Sequence, residues 1–243
     1  SVGPKYGCTH HLTLKELGYN SNNGHQEIVE RLENKDIGWA YADQSMFNPK
    51  LHNLMSLRKQ IIKRPVITTV EVLVKPVSSK NDMFFTGFVH KPYPPIYLEL
   101  SRNAQFNSAT VIRGTEGGII PSLRQTGKVH FYHSAGEQND YYDVTPEDLG
   151  IVQSSRAVDI PEEITRKNTK DKIESKVDAV DIAKETIKSG TSALSGNDGP
   201  MLSCIQLGAA IILQRATGND LGNCSKEVLR VLKSGAALKR MKR

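Results

Sequence analysis

Cysteine is scarce in this chain of 243 residues, which has only Cys8, Cys204 and Cys224. Three widely spaced cysteines without a CxxC pair argue against a disulfide framework and against a structural zinc site. No run of about 18 apolar residues is present, so the sequence predicts no transmembrane helix. The first residues also lack the basic and then apolar pattern of a signal peptide. These absences favour a reducing compartment and one substantial core.

Positive charge is concentrated in two segments. The net charge is +6, yet residues 226–243 alone carry seven lysines and arginines against Glu227, and residues 48–70 carry five such cations and no acid. Two basic segments on a mildly acidic body suggest an anionic partner, such as a phosphate group, nucleic acid or an acidic protein face. The alternative is that the basic C-terminal segment only keeps the protein soluble.

The order of apolar runs predicts an α/β fold. Residues 83–89 and 109–113 have the character of strands, and residues 94–106 between them have the length and period of a crossover helix, which predicts a parallel pair. Residues 128–133 and 140–144 predict an antiparallel ribbon, and three helices bounded by glycine are expected after residue 178. The expected architecture is a mixed, largely parallel sheet flanked by helices. Residues 37–43 (IGWAYAD) are predicted to add a buried strand.

A glycine-rich loop lies in the stretch VIRGTEGGII, residues 111–120. Backbone N–H groups of such a loop can hold a phosphate when a helix begins directly after it. Here Ile119, Ile120 and Pro121 follow, and proline has no N–H to donate. A structural turn is therefore favoured over a phosphate site, and Glu116 alone is a poor magnesium ligand.

Four segments carry a resemblance to a known family: RKQIIKRPVITTVEVLVKP (58–76), ATVIRGTEGGI (109–119), YDVTPEDLGI (142–151) and the C-terminal run from LSGNDGP to SGAALKRM (194–241). In this order they resemble the C-terminal two thirds of the anthranilate phosphoribosyltransferase family, glycosyl transferase family 3. The resemblance is strongest to its divergent branch, the anthranilate phosphoribosyltransferase-like proteins of bacteria and photosynthetic eukaryotes. It implies a small helical subdomain at residues 46–77, between the start of an α/β domain at residues 1–45 and its remainder at residues 78–243.

The resemblance also implies that the catalytic parts of the family are lost. The GTGGD loop that holds the pyrophosphate of phosphoribosyl pyrophosphate has no counterpart here, so the N-terminal part of the family is expected to be missing. Arg64 matches the arginine that meets the anthranilate carboxylate, and Ile119 and Ile120 stand where the family has its magnesium-binding acids. No catalytic residue and no metal ligand is predicted. The predicted anion-binding residues are Lys5, Arg58, Lys59, Lys63 and Arg64, and the predicted loop remnant is Gly114, Thr115, Glu116, Gly117 and Gly118.

These features support a noncatalytic family relative without a cofactor. Such a protein is expected to bind a phosphate-containing ligand or nucleic acid, or to serve as a subunit of a larger assembly. The alternative is an active enzyme that transfers a phosphoribosyl group to an aromatic amine such as anthranilate. That alternative requires magnesium and a donor loop from an upstream segment. A homodimer, a plastid or cytoplasmic location and the absence of a membrane span complete the expectations.

Overall fold

The computed structural model describes residues 8–21, 23–61, 66–166 and 178–243. They belong to two compact units. The first comprises Ser1–Pro65, Asp159–Ser192 and Lys239–Arg243, and the second comprises Val66–Val158 and Ala193–Leu238. These bounds differ from the expected division at residues 45 and 77, which stays a prediction about the family's domains.

The helices and strands follow one another in a fixed order along the chain. The helices are α1 (His10–Glu16), α2 (His25–Glu33), α3 (Gln44–Phe47), α4 (Pro49–His52), α5 (Met55–Gln60), α6 (Ile67–Val70), α7 (Tyr93–Asn103), α8 (Glu162–Arg166), α9 (Ala179–Leu194), α10 (Pro200–Thr217), α11 (Leu221–Lys233) and α12 (Ala236–Met241). The strands are β1 (Met83–Phe88), β2 (Ser108–Arg113), β3 (Gly127–Tyr132) and β4 (Asp140–Val144). Within the described residues, no helix is long and apolar enough to cross a membrane.

The first unit is helical wherever it is described. Its helices begin at polar caps, because Thr9 Oγ1 accepts from Leu12 N–H at 3.1 Å and Asn48 Oδ1 accepts from Leu51 N–H at 3.1 Å. The strand predicted at residues 37–43 is wrong, since this segment forms no helix or strand. A short apolar run is ambiguous by pattern alone. Here its aromatic side chains contact Arg31 and His11 rather than a neighbouring strand.

The second unit contains a four-stranded mixed sheet in the order β1-β2-β3-β4. β1 and β2 are parallel, with Met83 opposite Ser108 and Phe88 opposite Arg113, and α7 is the crossover helix between them. β2–β3 and β3–β4 are antiparallel. The predicted α/β fold with a mixed sheet flanked by helices is confirmed. Its parallel part, among the described strands, is the β1–β2 pair.

Both faces of the sheet are covered by a helix. Phe88 and Val111 pack with Leu98 of α7 on one face, whereas Ile112 and Val129 pack with residues of α10 on the other. β2 is the strand buried from both sides, with Val111 and Ile112 fully buried. A central strand buried on both faces is typical of α/β sheets.

The last predicted helix is interrupted. The pattern indicated one helix from residue 223 to residue 241, but Gly235 adopts a φ of 70° and separates α11 from α12. Glycine enters this left-handed region without steric cost, so it ends a helix readily. Likewise, the helix predicted to start at Asn48 is divided into α4 and α5 at Asn53 and Leu54.

The hydroxyl of Tyr132 provides a test of the core. Tyr132 and Ser101 are fully buried, and Tyr132 Oη lies 3.1 Å from Ser101 Oγ and donates to Phe106 O at 3.1 Å. Because Tyr132→Phe leaves two buried groups without this partner, we expect the free energy of unfolding to fall by about 1–2 kcal/mol in urea denaturation. The control, Tyr141→Phe, alters a residue that is 56% exposed. Equal losses in the two variants would contradict the prediction.

Candidate functional site

The glycine-rich loop of residues 114–118 lies at the carboxyl end of the parallel pair. β2 ends at Arg113, and a single 3-10 turn of Thr115–Gly117 follows. In open α/β sheets ligands bind beside the carboxyl ends of parallel strands, so this edge is the first place to look for a site. No α-helix begins directly after the loop.

The backbone of this loop is closed on itself. Gly114 N–H donates to Ile112 O at 2.8 Å, and Thr115 N–H donates to Ile120 O at 2.9 Å. Gly117 N–H donates to Gly114 O at 3.3 Å, and Gly118 N–H donates to Thr115 O at 3.0 Å. A phosphate loop must aim its N–H groups at the ligand. Four of these donors are instead occupied by carbonyl groups of the same segment.

The glycines are required by close packing. A Cβ at Gly87 would lie 2.1 Å from Gly118 O, and a Cβ at Gly114 would lie 1.5 Å from the same atom. Gly117 has a φ of +83°, which also favours glycine. The loop therefore lies directly on β1, in the space that side chains of these strands would occupy.

The residues after the loop belong to the core. Ile120 is packed against the cluster that contains Ile112, Leu207 and Ile211. It is so close to α10 that a Cβ at Gly208 would lie 3.2 Å from Ile120 Cγ1. A hard cation such as Mg²⁺ binds oxygen atoms, which an isoleucine side chain does not have. The side chains at 119 and 120 therefore do not fit a magnesium diphosphate.

The histidines of the antiparallel ribbon lie on different sides of the sheet. His130 contacts Phe88 and Tyr141 at 5.6 Å between ring centroids, and burial together with nearby Lys128 lowers the pKa of His130. His133 Nδ1 lies 3.1 Å from Arg215 Nη2. Within the part of the chain that the structure describes, no group of three His, Cys, Asp or Glu residues is arranged to hold a metal ion.

A second cluster, in the helical unit, was missed by sequence reasoning. The guanidinium carbon of Arg31 lies 5.2 Å from the ring centroids of both Tyr19 and Trp39, and the two rings are 5.1 Å apart. These distances lie within the range of cation–π contacts. Nε and Nη2 of Arg31 are buried and lack a hydrogen-bond partner among the described residues. We call Tyr19, Arg31 and Trp39 the Arg31 cluster.

The C-terminal residues 239–243, here called the strap, contact this cluster and the segment after α2. Trp39 Nε1 donates to Arg240 O at 3.2 Å, and Arg31 Nη1 donates to Arg243 O at 3.3 Å. In return Arg240 Nη2 donates to Lys35 O at 2.9 Å, and Arg243 forms an ion pair with Asp36 at 3.1 Å. The contacts join residues more than two hundred positions apart, so no local sequence pattern could have indicated them.

Sequence and structure comparisons agree on one group of relatives. No family model matches the chain. An uncharacterized protein of Aquifex aeolicus is 32% identical over 117 residues, which make up 48% of this chain and 32% of that protein. Anthranilate phosphoribosyltransferase of the same organism is 22% identical over 213 residues, or 87% of this chain and 56% of the enzyme. The structure of anthranilate phosphoribosyltransferase from Saccharomyces cerevisiae in complex with PRPP and Mg has a TM-score of 0.70 at 15% identity, over 96% of this chain and 60% of that one.

The chain is an anthranilate phosphoribosyltransferase-like protein. It has the fold of these enzymes, as the resemblance implied. It spans about a third to three fifths of the length of the relatives and structures compared.

The anion-binding residues inferred from the anthranilate phosphoribosyltransferase family stay predictions. Lys5, Lys63 and Arg64 lie outside the described residues. Arg58 and Lys59 lie in α5, and Glu116 lies in the turn after β2, but their side chains are outside the described part as well. Gly114, Thr115, Gly117 and Gly118 are brought together in the closed loop.

Several cations of the basic C-terminal segment have partners within the protein. Arg230 donates to both carboxylate oxygens of Glu227 at 2.9 and 2.6 Å. Lys233 donates to Asp198 Oδ1 at 2.7 Å and to Gly196 O at 2.8 Å. The segment is therefore largely folded into α11 and α12, and its charge is less available to a partner than its composition suggests.

The contact between the loop and β1 can be tested at Gly87. Because Gly87→Ala forces the loop away from the strand, we expect the free energy of unfolding to fall by about 2–3 kcal/mol. Hydrogen exchange at the amides of Thr115 and Gly118 should accelerate. Gly136→Ala is the control, since nothing lies within 4 Å of its added Cβ. If both variants kept wild-type stability and exchange rates, the loop would not be held on β1.

Proposed function

We propose that this protein is a noncatalytic anthranilate phosphoribosyltransferase-like protein that binds an anionic, phosphate-containing partner, with nucleic acid as the leading candidate. The observation that carries the proposal is the closed loop at residues 114–118, whose N–H donors are used by its own carbonyl groups. The fold is that of an enzyme, while the edge of the sheet that would meet a diphosphate is filled by backbone.

The loss of catalysis follows from what phosphoribosyl transfer needs. The leaving pyrophosphate develops negative charge, which enzymes offset with Mg²⁺ and with donors aimed at the diphosphate. The yeast relative was solved with PRPP and Mg. Here the resemblance places Ile119 and Ile120 where acids would bind the metal, and Ile120 packs in the core. We therefore propose no cofactor, and Mg²⁺ and phosphoribosyl pyrophosphate belong to the alternative of an active enzyme completed by an upstream segment.

An anionic partner is supported by charge. The chain has a net charge of +6, and the strap holds four cations in five residues: Lys239, Arg240, Lys242 and Arg243. Such a segment attracts phosphates without reading a base sequence. A role as a subunit of a larger assembly is the competing form of the proposal. It is tested by whether the purified protein binds nucleic acid by itself.

Pyrophosphate release tests the catalytic half of the proposal. With phosphoribosyl pyrophosphate, Mg²⁺ and anthranilate, we expect the protein to release no pyrophosphate above the rate of the buffer. Anthranilate phosphoribosyltransferase from Saccharomyces cerevisiae, assayed alongside, serves as the active control. Turnover that depends on anthranilate would overturn the proposal and support the alternative.

Salt dependence tests the binding half. We expect a labelled single-stranded oligonucleotide to bind in fluorescence anisotropy, with similar affinity for unrelated sequences. If about four cations of the protein meet phosphates, the logarithm of the binding constant should fall with the logarithm of salt concentration with a slope of about −3. Absence of binding at low salt would contradict a nucleic-acid partner and leave the assembly role as the better reading.

A further inference from the structure

The guanidinium of Arg31 has an unused pair of donors. Nε and Nη2 form the edge with which arginine binds two oxygens of one phosphate or carboxylate group. In Arg31 both atoms are buried and lack a partner among the described residues. Buried polar groups without partners are uncommon, and each indicates a water, an ion or a ligand that completes it. Arg215 differs, because its Nη2 is engaged with His133.

The two rings of the Arg31 cluster hold this donor pair in place. The guanidinium lies 5.2 Å from the centroids of Tyr19 and Trp39, so cation–π attraction restrains its rotation. A restrained guanidinium loses less conformational entropy when it binds an oxyanion than a mobile one does. The cluster is therefore prepared for an anion before the anion arrives.

The strap is attached by weak, exposed contacts. Asp36 and Arg243, which form its ion pair, have side chains that are 77% and 40% exposed. Exposed ion pairs of this kind contribute little to stability. The acceptors that the strap uses, the Asp36 carboxylate and the Lys35 carbonyl, are oxygen atoms that a phosphate group can replace.

We propose that the Nε–Nη2 edge of Arg31 is a binding site for a phosphate group, which enters as the C-terminal strap detaches from Asp36 and Trp39. The strap then contributes Arg240 and Arg243 to the same anion. This inference rests on the proposed anionic partner, for which it names a site. The phosphate belongs either to a small free phosphate or to the backbone of a nucleic acid, and both present the same pair of oxygens to Arg31.

Trp39 reports on the site directly, because it is the only tryptophan in the chain. The protein is titrated with inorganic tripolyphosphate and, separately, with single-stranded oligonucleotide, while tryptophan emission and its quenching by acrylamide are recorded. We expect a saturable change in emission and greater access of acrylamide to Trp39 as the strap leaves. A response to both ligands indicates a site for free phosphate, and a response to the oligonucleotide alone indicates the nucleic-acid backbone.

Variants separate this site from general attraction of charge. Arg31→Lys keeps the charge but loses the paired donors, so we expect the dissociation constant to rise about tenfold. Arg156→Lys, at an exposed arginine outside the cluster, should stay within about twofold of wild type. Asp36→Asn removes the partner of Arg243 without touching Arg31, and it should tighten binding about threefold because the strap detaches more easily.

The outcomes distinguish this inference from the proposed function. If anisotropy shows oligonucleotide binding that is equal in wild type and Arg31→Lys, with unchanged Trp39 emission, the site is wrong and the proposed function stands. If neither ligand binds by any measure, both fall. Circular dichroism establishes that each variant is folded. Unchanged affinity in Asp36→Asn would show that strap release does not limit binding.

Discussion

The carbonyl of Gly118 occupies the space in which side chains at Gly87 and Gly114 would lie, and much of the structure around the glycine-rich loop depends on this close approach. It holds the loop on β1 and aligns Thr115 N–H with Ile120 O. The same arrangement directs Ile120 into the core against α10. To present its N–H groups to an anion, the loop would have to break several of these bonds at once, each of which contributes about 0.5–1.5 kcal/mol.

The satisfaction of hydrogen-bond donors distinguishes the two candidate regions of the molecule. In the loop at residues 114–118 the donors have partners, so an anion gains little by approaching. In the Arg31 cluster two donors of one guanidinium lack partners, so an anion that reaches them relieves an existing cost. The position of glycine points to the first region, whereas the state of the donors points to the second.

Local patterns were sufficient for the sheet. The parallel pair, its crossover helix and the antiparallel ribbon were predicted because each repeats one period over its length. The strand at residues 37–43 was mispredicted because a short apolar run packs equally well as an irregular segment against aromatic and cationic neighbours. Of the site, the loop and its glycines were predicted, but the direction of its N–H groups was not. The Arg31 cluster depends on contacts between α2 and residues 239–243, which lie too far apart in sequence for periodicity to detect.

Glycine in this loop therefore has a structural reason that is independent of catalysis. A chain that binds phosphate at this edge and a chain that packs the loop on β1 both require glycine at residues 114 and 117, the former for access and the latter because of the distances to Gly118 O and Val89. The composition of the loop alone does not decide between them. The decision comes from the residues that follow, because Ile119, Ile120 and Pro121 can neither begin a helix that points at an anion nor bind a cation. Where the next elements bury the end of a glycine loop, its glycines indicate packing rather than a ligand.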